Sequence, residues 1–262
     1  MALDVVTSAV LSTGLCGVLC YLAYAKDVLT LDGTIAAFGV GLVIGIFGDV
    51  TWLLLLLFFL LSSFLATRYK FALKEAMGVQ EGVKGERRAS NVLANGIAPM
   101  AAAILSYIDP AWFPRALSGV VFLSALAVAG SDTLASEIGV LQRDAYLITT
   151  FRRVPPGTDG GISWLGQACA LGAALYTALV GWFVLGNLAR TYGLSATMPP
   201  EAVYLLIPAV LGFVGCQIDS VIGATLERKG LVNKKTTNLL ATCSGAILAY
   251  LILLAWNAGI TF

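Results

Sequence analysis

The chain has 262 residues, of which 58% are hydrophobic and only 12% are charged. Soluble domains are typically about 45–50% apolar and about 25% charged, so this composition cannot cover a water-facing surface and excludes the soluble enzyme classes. The net charge of +1 carries little information, and no nucleic-acid partner is expected. We predict a polytopic membrane protein, with residues 1–262 forming a single integral domain in the lipid bilayer.

The chain contains no histidine, which excludes histidine-based acid–base catalysis, Ser-His and Cys-His nucleophiles, haem ligation and histidine-bound zinc. Its five cysteines lie inside apolar stretches. Cys16 and Cys20 are one helical turn apart, but no second thiol pair stands nearby to complete a metal site. We therefore interpret the cysteines as small packing residues.

Eight apolar runs without charge predict membrane-spanning helices, because crossing a bilayer takes about 17–25 residues. The second run is short and glycine-rich, so it is either a short tilted helix or a re-entrant arm, and seven spans remain the alternative. The first run lacks the positive start of a signal peptide. The predicted fold is an all-α helical bundle with spans at residues 5–25, 33–48, 50–67, 91–108, 116–131, 164–185, 202–218 and 239–256.

The positive charges segregate to one side of this bundle. With eight spans, fourteen of the sixteen lysines and arginines share one side, and only Arg115 and Arg190 lie opposite. The positive-inside rule places the fourteen in the cytoplasm and both termini outside. The three long loops then face the cytoplasm, and loops longer than about 12–15 residues are usually functional or disordered. We expect these loops to form the site.

Two aspartates occupy matching depths in apolar spans. Asp132 lies in Ser-Asp-Thr-Leu-Ala-Ser-Glu-Ile-Gly (131–139), and Asp219 begins Asp-Ser-Val-Ile-Gly-Ala-Thr-Leu-Glu (219–227). Residues 62–67 carry a faded version, so we infer helical hairpins as internal repeats. Intramembrane carboxylates are costly unless they are paired or metal-bound. Each could pair with a nearby arginine, but we prefer a shared Mg²⁺, with Mn²⁺ as the alternative. With no histidine and no thiolate cluster, the available ligands are oxygen atoms, which these cations prefer.

The loop before the fourth span ends in Arg87 and Arg88 and runs into Asn91 and Asn95. Arg87, Asn91 and Asn95 are four residues apart in turn, so a helix beginning here would present them on one face. A positive anchor at a helix start, capped by Asn91, would explain the arginines. It would not explain Asn95, a second amide one turn into an apolar span, and we favour a phosphate-binding role.

The other two long loops also carry groups suited to phosphates. Glycines let backbone N–H groups close around an anion, and two arginines precede the glycine-rich run, although a plain turn would look similar. The last loop supplies cations and amides, with solvated anchor charges as the alternative. The nominated residues are Arg152, Arg153, Gly157, Thr158, Asp159, Gly160, Gly161, Lys234, Lys235 and Asn238.

Carboxylates, a glycine turn and clustered cations suit phosphoryl or nucleotidyl transfer, which is mostly positioning and charge neutralisation. The substrate's apolar tail would lie among helices or lipid. An alcohol acceptor needs a base, whereas a phosphate acceptor is already ionised near neutral pH. The absence of histidine favours a phosphate acceptor, although Asp132 or Asp219 could serve an alcohol.

Five blocks of this sequence resemble one integral membrane family that includes plant and cyanobacterial phytyl-phosphate kinase, with archaeal and animal members. They are residues 62–67, 91–96, 131–139, 155–163 and 219–227. The resemblance implies phosphoryl transfer from a nucleoside triphosphate, CTP among the candidates, to a prenyl monophosphate. Carried onto this chain, it nominates Asp132, Ser136, Glu137, Gly157, Asp159, Asp219 and Asn238.

The leading hypothesis is a Mg²⁺-dependent prenyl-phosphate kinase in which Asp132 and Asp219 hold the metal and Glu137 assists. One alternative is an ion- or proton-coupled transporter, in which repeated carboxylates sit at a repeat interface. The carboxylates lie toward one surface rather than mid-bilayer, which argues against it. A further alternative uses the same groups as a CTP-dependent prenol kinase or a nucleotidyltransferase acting on a lipid.

Overall fold

The computed structural model describes residues 5–108, 113–191 and 197–257. Within these ranges, eight helical segments are long and apolar enough to cross a membrane, which confirms the prediction of eight spans rather than seven. The spans are Val6–Ala25, Leu31–Gly48, Val50–Arg68, Ala89–Ile108, Arg115–Gly139, Trp164–Thr191, Ala202–Glu227 and Lys234–Trp256.

In the described part of the chain, ten α-helices build these spans and their connections. In chain order they are α1 (Val5–Ala25), α2 (Leu31–Val43), α3 (Val50–Arg68), α4 (Phe71–Ala76), α5 (Ala89–Ile108), α6 (Arg115–Gly139), α7 (Trp164–Trp182), α8 (Ala189–Thr191), α9 (Ala202–Ile222) and α10 (Lys234–Asn257). Three π-helical turns extend α2, α7 and α9, at Ile44–Gly48, Phe183–Leu188 and Gly223–Glu227 respectively.

The second span is a helix rather than a re-entrant arm. It starts two residues before the predicted boundary because the hydroxyl of Thr30 caps α2 by accepting from the N–H of Gly33 at 3.2 Å. Just before it, the chain forms a parallel bridge between Leu29 and Arg87. The N–H of Thr30 donates to the carbonyl of Arg87 at 3.1 Å, and the N–H of Arg87 donates to Val28 at 3.0 Å.

Helix α6 occupies the centre of the bundle. Every residue from 118 to 133 is buried, and the helix contacts α3, α5, α7, α9 and α10. Small residues on α6 and its neighbours let the backbones approach closely, as is usual between helices in membranes. The helix continues past the predicted boundary at residue 131, since α6 ends at Gly139.

The long loops meet at one end of the bundle, which we call the loop face. The loop after α6 contains a three-stranded antiparallel sheet of β1 (Ala145–Leu147), β2 (Arg153–Val154) and β3 (Gly161–Ile162), in the order β2-β1-β3. The sequence analysis did not predict this sheet, because strands of two or three residues are too short to show an alternating pattern. The predicted glycine turn connects β2 to β3.

At the opposite face, short connections pack against helix ends. Arg115 donates to the carbonyls of Phe47 at 3.3 Å and Gly48 at 2.6 Å, where a cation meets the carbonyl end of a helix favourably. The indole N–H of Trp52 donates to the hydroxyl of Thr197 at 3.0 Å. One of the two cations outside the loop face therefore has a structural role.

Close packing around α6 predicts that alanine substitutions at two glycines differ sharply in their effect on stability. A Cβ on Gly215 of α9 would lie 2.2 Å from Cγ2 of Val128, a β-branched side chain with little freedom to move. A Cβ on Gly172 of α7 would meet nothing within 4 Å. We expect Gly215→Ala to lower the free energy of unfolding by about 1–3 kcal/mol, and Gly172→Ala to leave it unchanged or slightly raised. Thermal unfolding in detergent tests this, and equal melting temperatures would contradict it.

Candidate functional site

A cleft opens at the loop face. Its walls come from α6, α9, the start of α10, the segment 78–81 and the glycine turn. Ten of the eighteen nominated residues line it, so the folding of the loops brings together groups that are far apart in sequence. They are Asp132, Ser136, Glu137, Gly157, Thr158, Asp159, Gly160, Gly161, Asp219 and Lys234.

The cleft contains two buried carboxylates that share one ammonium group. Lys234 Nζ lies 2.8 Å from Oδ1 of Asp219 and 3.8 Å from Oδ1 of Asp132. Asp132 is 7% exposed and Asp219 3% exposed. Helices α6 and α9 pack against each other, so the matched depth of the aspartates becomes direct proximity. The other oxygen of Asp219, Oδ2, is buried without a hydrogen-bond partner in the described part of the chain.

These groups fit a divalent cation of the Mg²⁺ type. Such a cation is usually held by one or two carboxylates together with substrate phosphates rather than by an all-protein cage. Asp132 and Asp219 offer that pair of carboxylates, and the unpartnered Oδ2 of Asp219 is a ready acceptor. Within residues 5–108, 113–191 and 197–257, no three Cys, Asp or Glu side chains converge as a metal cluster.

Glu137 is not brought to this pair, contrary to the expectation that it assists as a metal ligand. Its Oε2 lies 2.6 Å from Nζ of Lys74, and its Oε1 accepts from the hydroxyl of Thr67 at 3.0 Å. Lys74 is completely buried and also donates to the carbonyls of Ala66 and Thr67, at 3.1 and 2.6 Å. All three donors of the ammonium are thus satisfied, and the pair fastens α4 to the ends of α3 and α6.

Glu81 is a cleft residue that the sequence analysis missed. Its Oε1 accepts from Nδ2 of Asn91 at 2.6 Å and from Nζ of Lys235 at 3.1 Å. Burial alone would raise the pKa of Glu81, but the charge of Lys235 and the bond from Asn91 outweigh it and lower the pKa below its usual range. Asn91 and Lys235 therefore reach the cleft through Glu81 rather than by lining it.

No local sequence pattern marks Lys74 or Glu81 as part of the site. Both lie in the loop between the third and fourth spans, where charged residues usually anchor a membrane protein at the lipid surface. Their partners, Glu137 on α6 and Lys235 on α10, are distant in sequence. Only the docking of the loop on the bundle reveals that Lys74 is buried and that Glu81 lines the cleft.

Arg87 lies behind the cleft, not in it. It precedes α5, which begins at Ala89, yet it lines an apolar cavity together with Asn91 and Asn95, so the predicted shared face is observed. Arg87 is 7% exposed, its Nη2 donates to the hydroxyl of Thr67 at 3.4 Å, and its Nε has no partner among the described residues. Burial lowers the pKa of Arg87, against the opposing influence of nearby carboxylates, but a guanidinium stays protonated.

Four further nominated residues line neither the cleft nor the apolar cavity. Arg152 and Arg153 are exposed at the small sheet, where Arg153 pairs with Asp144. Arg153 belongs to β2, which pairs with β1. Arg88 is also exposed, and Asn238 lines neither the cleft nor the apolar cavity.

The glycine turn packs directly against the π-helical turn that follows α9. Gly157 and Gly160 have φ of +82° and +72°, in the region that favours glycine. A Cβ on Gly160 would lie 2.3 Å from the backbone nitrogen of Ala224, and one on Gly223 would lie 2.8 Å from the backbone nitrogen of Gly160. The two backbones thus touch, and the turn is held as one wall of the cleft.

The comparison with known proteins places this arrangement in a family. The family model described as Integral membrane protein DUF92 matches residues 14–256. The chain belongs to the DUF92 family. An uncharacterized membrane protein, MJ0933, from Methanocaldococcus jannaschii is 34% identical over 222 residues, covering 84% of both chains.

Other DUF92 relatives come from plants and cyanobacteria. Protein VTE6, chloroplastic, from Arabidopsis thaliana is 33% identical over 231 residues, which cover 86% of this chain and 65% of that protein. An uncharacterized membrane protein, sll0875, from Synechocystis is 28% identical over 86% of this chain and 82% of its own length. No solved structure matches the chain.

The buried ion pair of Lys74 and Glu137 should contribute measurably to the stability of the protein. Lys74→Met should lower the free energy of unfolding by about 3–5 kcal/mol, because Glu137 is left as an uncompensated buried charge. The matched control is Lys84→Met, which breaks the pair with Asp27, whose side chains are 65% and 64% exposed, and should cost less than about 1 kcal/mol. Thermal unfolding in detergent compares them. Similar losses in both variants would show that the pair of Lys74 and Glu137 does not fasten the loop.

A second pair of variants tests the contact of the glycine turn. Gly160 and Gly230 both have φ of +72°, so alanine at either position carries the same conformational cost of about 1–2 kcal/mol. Only Gly160 has a close neighbour, whereas Gly230 has nothing within 4 Å. We expect Gly160→Ala to be the less stable variant by a further 1–3 kcal/mol or so. Equal stability of the two in thermal unfolding would contradict the contact.

Proposed function

We propose that this protein transfers a phosphoryl group from a nucleoside triphosphate to a prenyl monophosphate, giving the prenyl diphosphate. The observation that carries the proposal is the cleft, where two buried carboxylates and Lys234 face a glycine turn at one membrane surface. The family resemblance supports it, because phytyl-phosphate kinase belongs to the same family and Protein VTE6 aligns with most of this chain.

In this proposal the glycine turn and Lys234 bind the phosphates of the nucleotide. Backbone N–H groups of a turn with left-handed glycines form an anion-binding concavity, and Thr158 and Ser136 add hydroxyls at its rim. Asp132 and Asp219 would hold Mg²⁺, or Mn²⁺ as the alternative. When bound, such a cation neutralises charge on the phosphate oxygens during transfer. Lys234 would then place its ammonium on a phosphate.

The chain's own residues need only to orient the two substrates. An oxygen of the prenyl monophosphate attacks the terminal phosphorus of the nucleotide, the bond to the bridging oxygen breaks, and the nucleoside diphosphate leaves. The attacking phosphate is largely ionised near pH 7, so no group has to accept a proton from it. This fits a cleft in a chain without histidine. We further propose that the loop face is cytoplasmic, by the distribution of positive charge.

The activity is tested by incubating the purified protein in detergent with Mg²⁺, each labelled nucleoside triphosphate, and a panel of prenyl alcohols and monophosphates. The expected products are a prenyl diphosphate and a nucleoside diphosphate. Release of pyrophosphate would instead indicate nucleotidyl transfer, and product formation from alcohols alone would indicate a prenol kinase. Nucleotide-independent flux in proteoliposomes, without any transfer, would indicate a transporter.

The two buried aspartates should be essential for transfer. We expect Asp132→Asn and Asp219→Asn each to lower kcat by about 100-fold or more, the scale of losing one preorganised charge at a phosphate. The control is Asp27→Asn, an exposed loop-face residue with φ of +53°, a conformation that asparagine also adopts; it should retain full activity. Full activity in either cleft variant, with an unchanged melting temperature, would rule out the assignment.

A further inference from the structure

A second cavity lies among α1, α2, α3 and α5. Its walls are almost entirely apolar, and the polar exceptions, Arg87, Asn91 and Asn95, belong to the segment at the start of α5. On α1 the wall runs from Cys16 to Ala23, which at 1.5 Å per residue gives a depth of about 10 Å. The shape and chemistry are those of a site for a chain-like apolar group with a polar head.

Arg87 marks the end of this cavity as an anion site. It is a buried cation with one long hydrogen bond, to Thr67 at 3.4 Å, and an Nε without a partner in the described ranges. A buried charge is costly unless it is paired and hydrogen-bonded. A phosphate at this position would provide the missing acceptor, and two phosphate oxygens match the planar fork of a guanidinium.

The cavity and the cleft share a wall. Thr67 receives a hydrogen bond from Arg87 and donates to Glu137, and Glu137 lines the cleft. In the same way Asn91 lines the cavity and donates to Glu81, which lines the cleft. A phosphate held at Arg87 therefore lies one side chain away from the cleft that is proposed to hold the nucleotide.

The membrane-facing side of the cavity is formed by α1, which has the smallest buried share of the eight spans in the described chain, 17%. A wall of this kind separates the cavity from lipid by only one helix. An isoprenoid substrate dissolved in the bilayer thus has a short route to the cavity.

Building on the proposed function, we propose that this cavity binds the prenyl chain of the acceptor, with the monophosphate head at Arg87 and Asn91. The occupant is an isoprenoid monophosphate, and the head reaches the shared wall while the chain extends along α1 and α2. The site explains why the polar groups at the start of α5 face an apolar cavity and not the cleft. It also gives Cys16 and Cys20 a place in a binding wall.

Filling the cavity tests the proposal through substrate length. Ala37 of α2 lines the cavity, whereas its neighbour Ala36 does not. We expect Ala37→Leu to raise KM for farnesyl and geranylgeranyl monophosphate by about tenfold relative to dimethylallyl monophosphate. Ala36→Leu controls for a larger side chain on the same helix and should change neither KM. A uniform KM change across chain lengths would overturn the proposal.

A measurement without catalysis separates this inference from the proposed function. Farnesyl monophosphate carrying a photoreactive diazirine in its chain is irradiated with the protein in the absence of nucleotide. Adducts are expected on residues 16–23 and 37–41, with less labelling in Ala37→Leu than in Ala36→Leu. Unlabelled farnesyl monophosphate should compete, and farnesol should compete at least tenfold less well because it lacks the head that Arg87 would bind.

The possible results of the KM and photolabelling experiments lead to different conclusions. Adducts elsewhere on the chain, or equal competition by phosphatidylglycerol, would overturn the inference and indicate another site or an ordinary membrane lipid. Adducts in the cavity from a protein that forms no diphosphate with any nucleotide would support the binding site and refute the proposed reaction. Diphosphate formation with no length dependence in Ala37→Leu would support the proposed reaction and refute the binding site.

Discussion

Charged groups inside an apolar bundle must be compensated, and this constraint organises the loop face. Helix α6 carries Asp132 and Glu137 into the bundle, and α9 carries Asp219. An uncompensated carboxylate there would cost several kcal/mol. Lys234 meets the two aspartates and Lys74 meets the glutamate. Each lysine comes from a segment that connects spans or starts one, so compensation of charge also docks these segments on the bundle.

Once these segments are docked, the remaining polar contacts join the loop before the fourth span to the helices beside the cleft. Lys74 holds α4 against the end of α3, which positions the loop containing Glu81 beside the cleft. Glu81 then connects the start of α5, through Asn91, with the start of α10, through Lys235. Opposite these contacts the glycine turn rests on the backbone after α9. The cleft is therefore enclosed by polar contacts on one side and by close backbone packing on the other.

The sequence predicted the spans and the paired aspartates because those signals are local. Apolar runs of sufficient length specify helices, and the matched depth of Asp132 and Asp219 places them together once α6 and α9 pack. The pairing of Glu137 with Lys74, and of Asn91 with Glu81, depends on how a loop docks, which no periodicity encodes. Arg152 and Arg153 do not line the cleft, and the sheet at which they lie has strands of two or three residues, too short for a sequence pattern to predict.

The bridge between Leu29 and Arg87 has a consequence for the size of the proposed acceptor. Two backbone hydrogen bonds join Arg87 to the segment that enters α2, and Gly33 approaches the Arg87 carbonyl so closely that a Cβ would lie 2.3 Å from it. The guanidinium therefore projects from a fixed point beside the helices that line the apolar cavity. In the proposed binding mode the head group is held at this point, so residues at the far end of the cavity would determine which chain lengths fit.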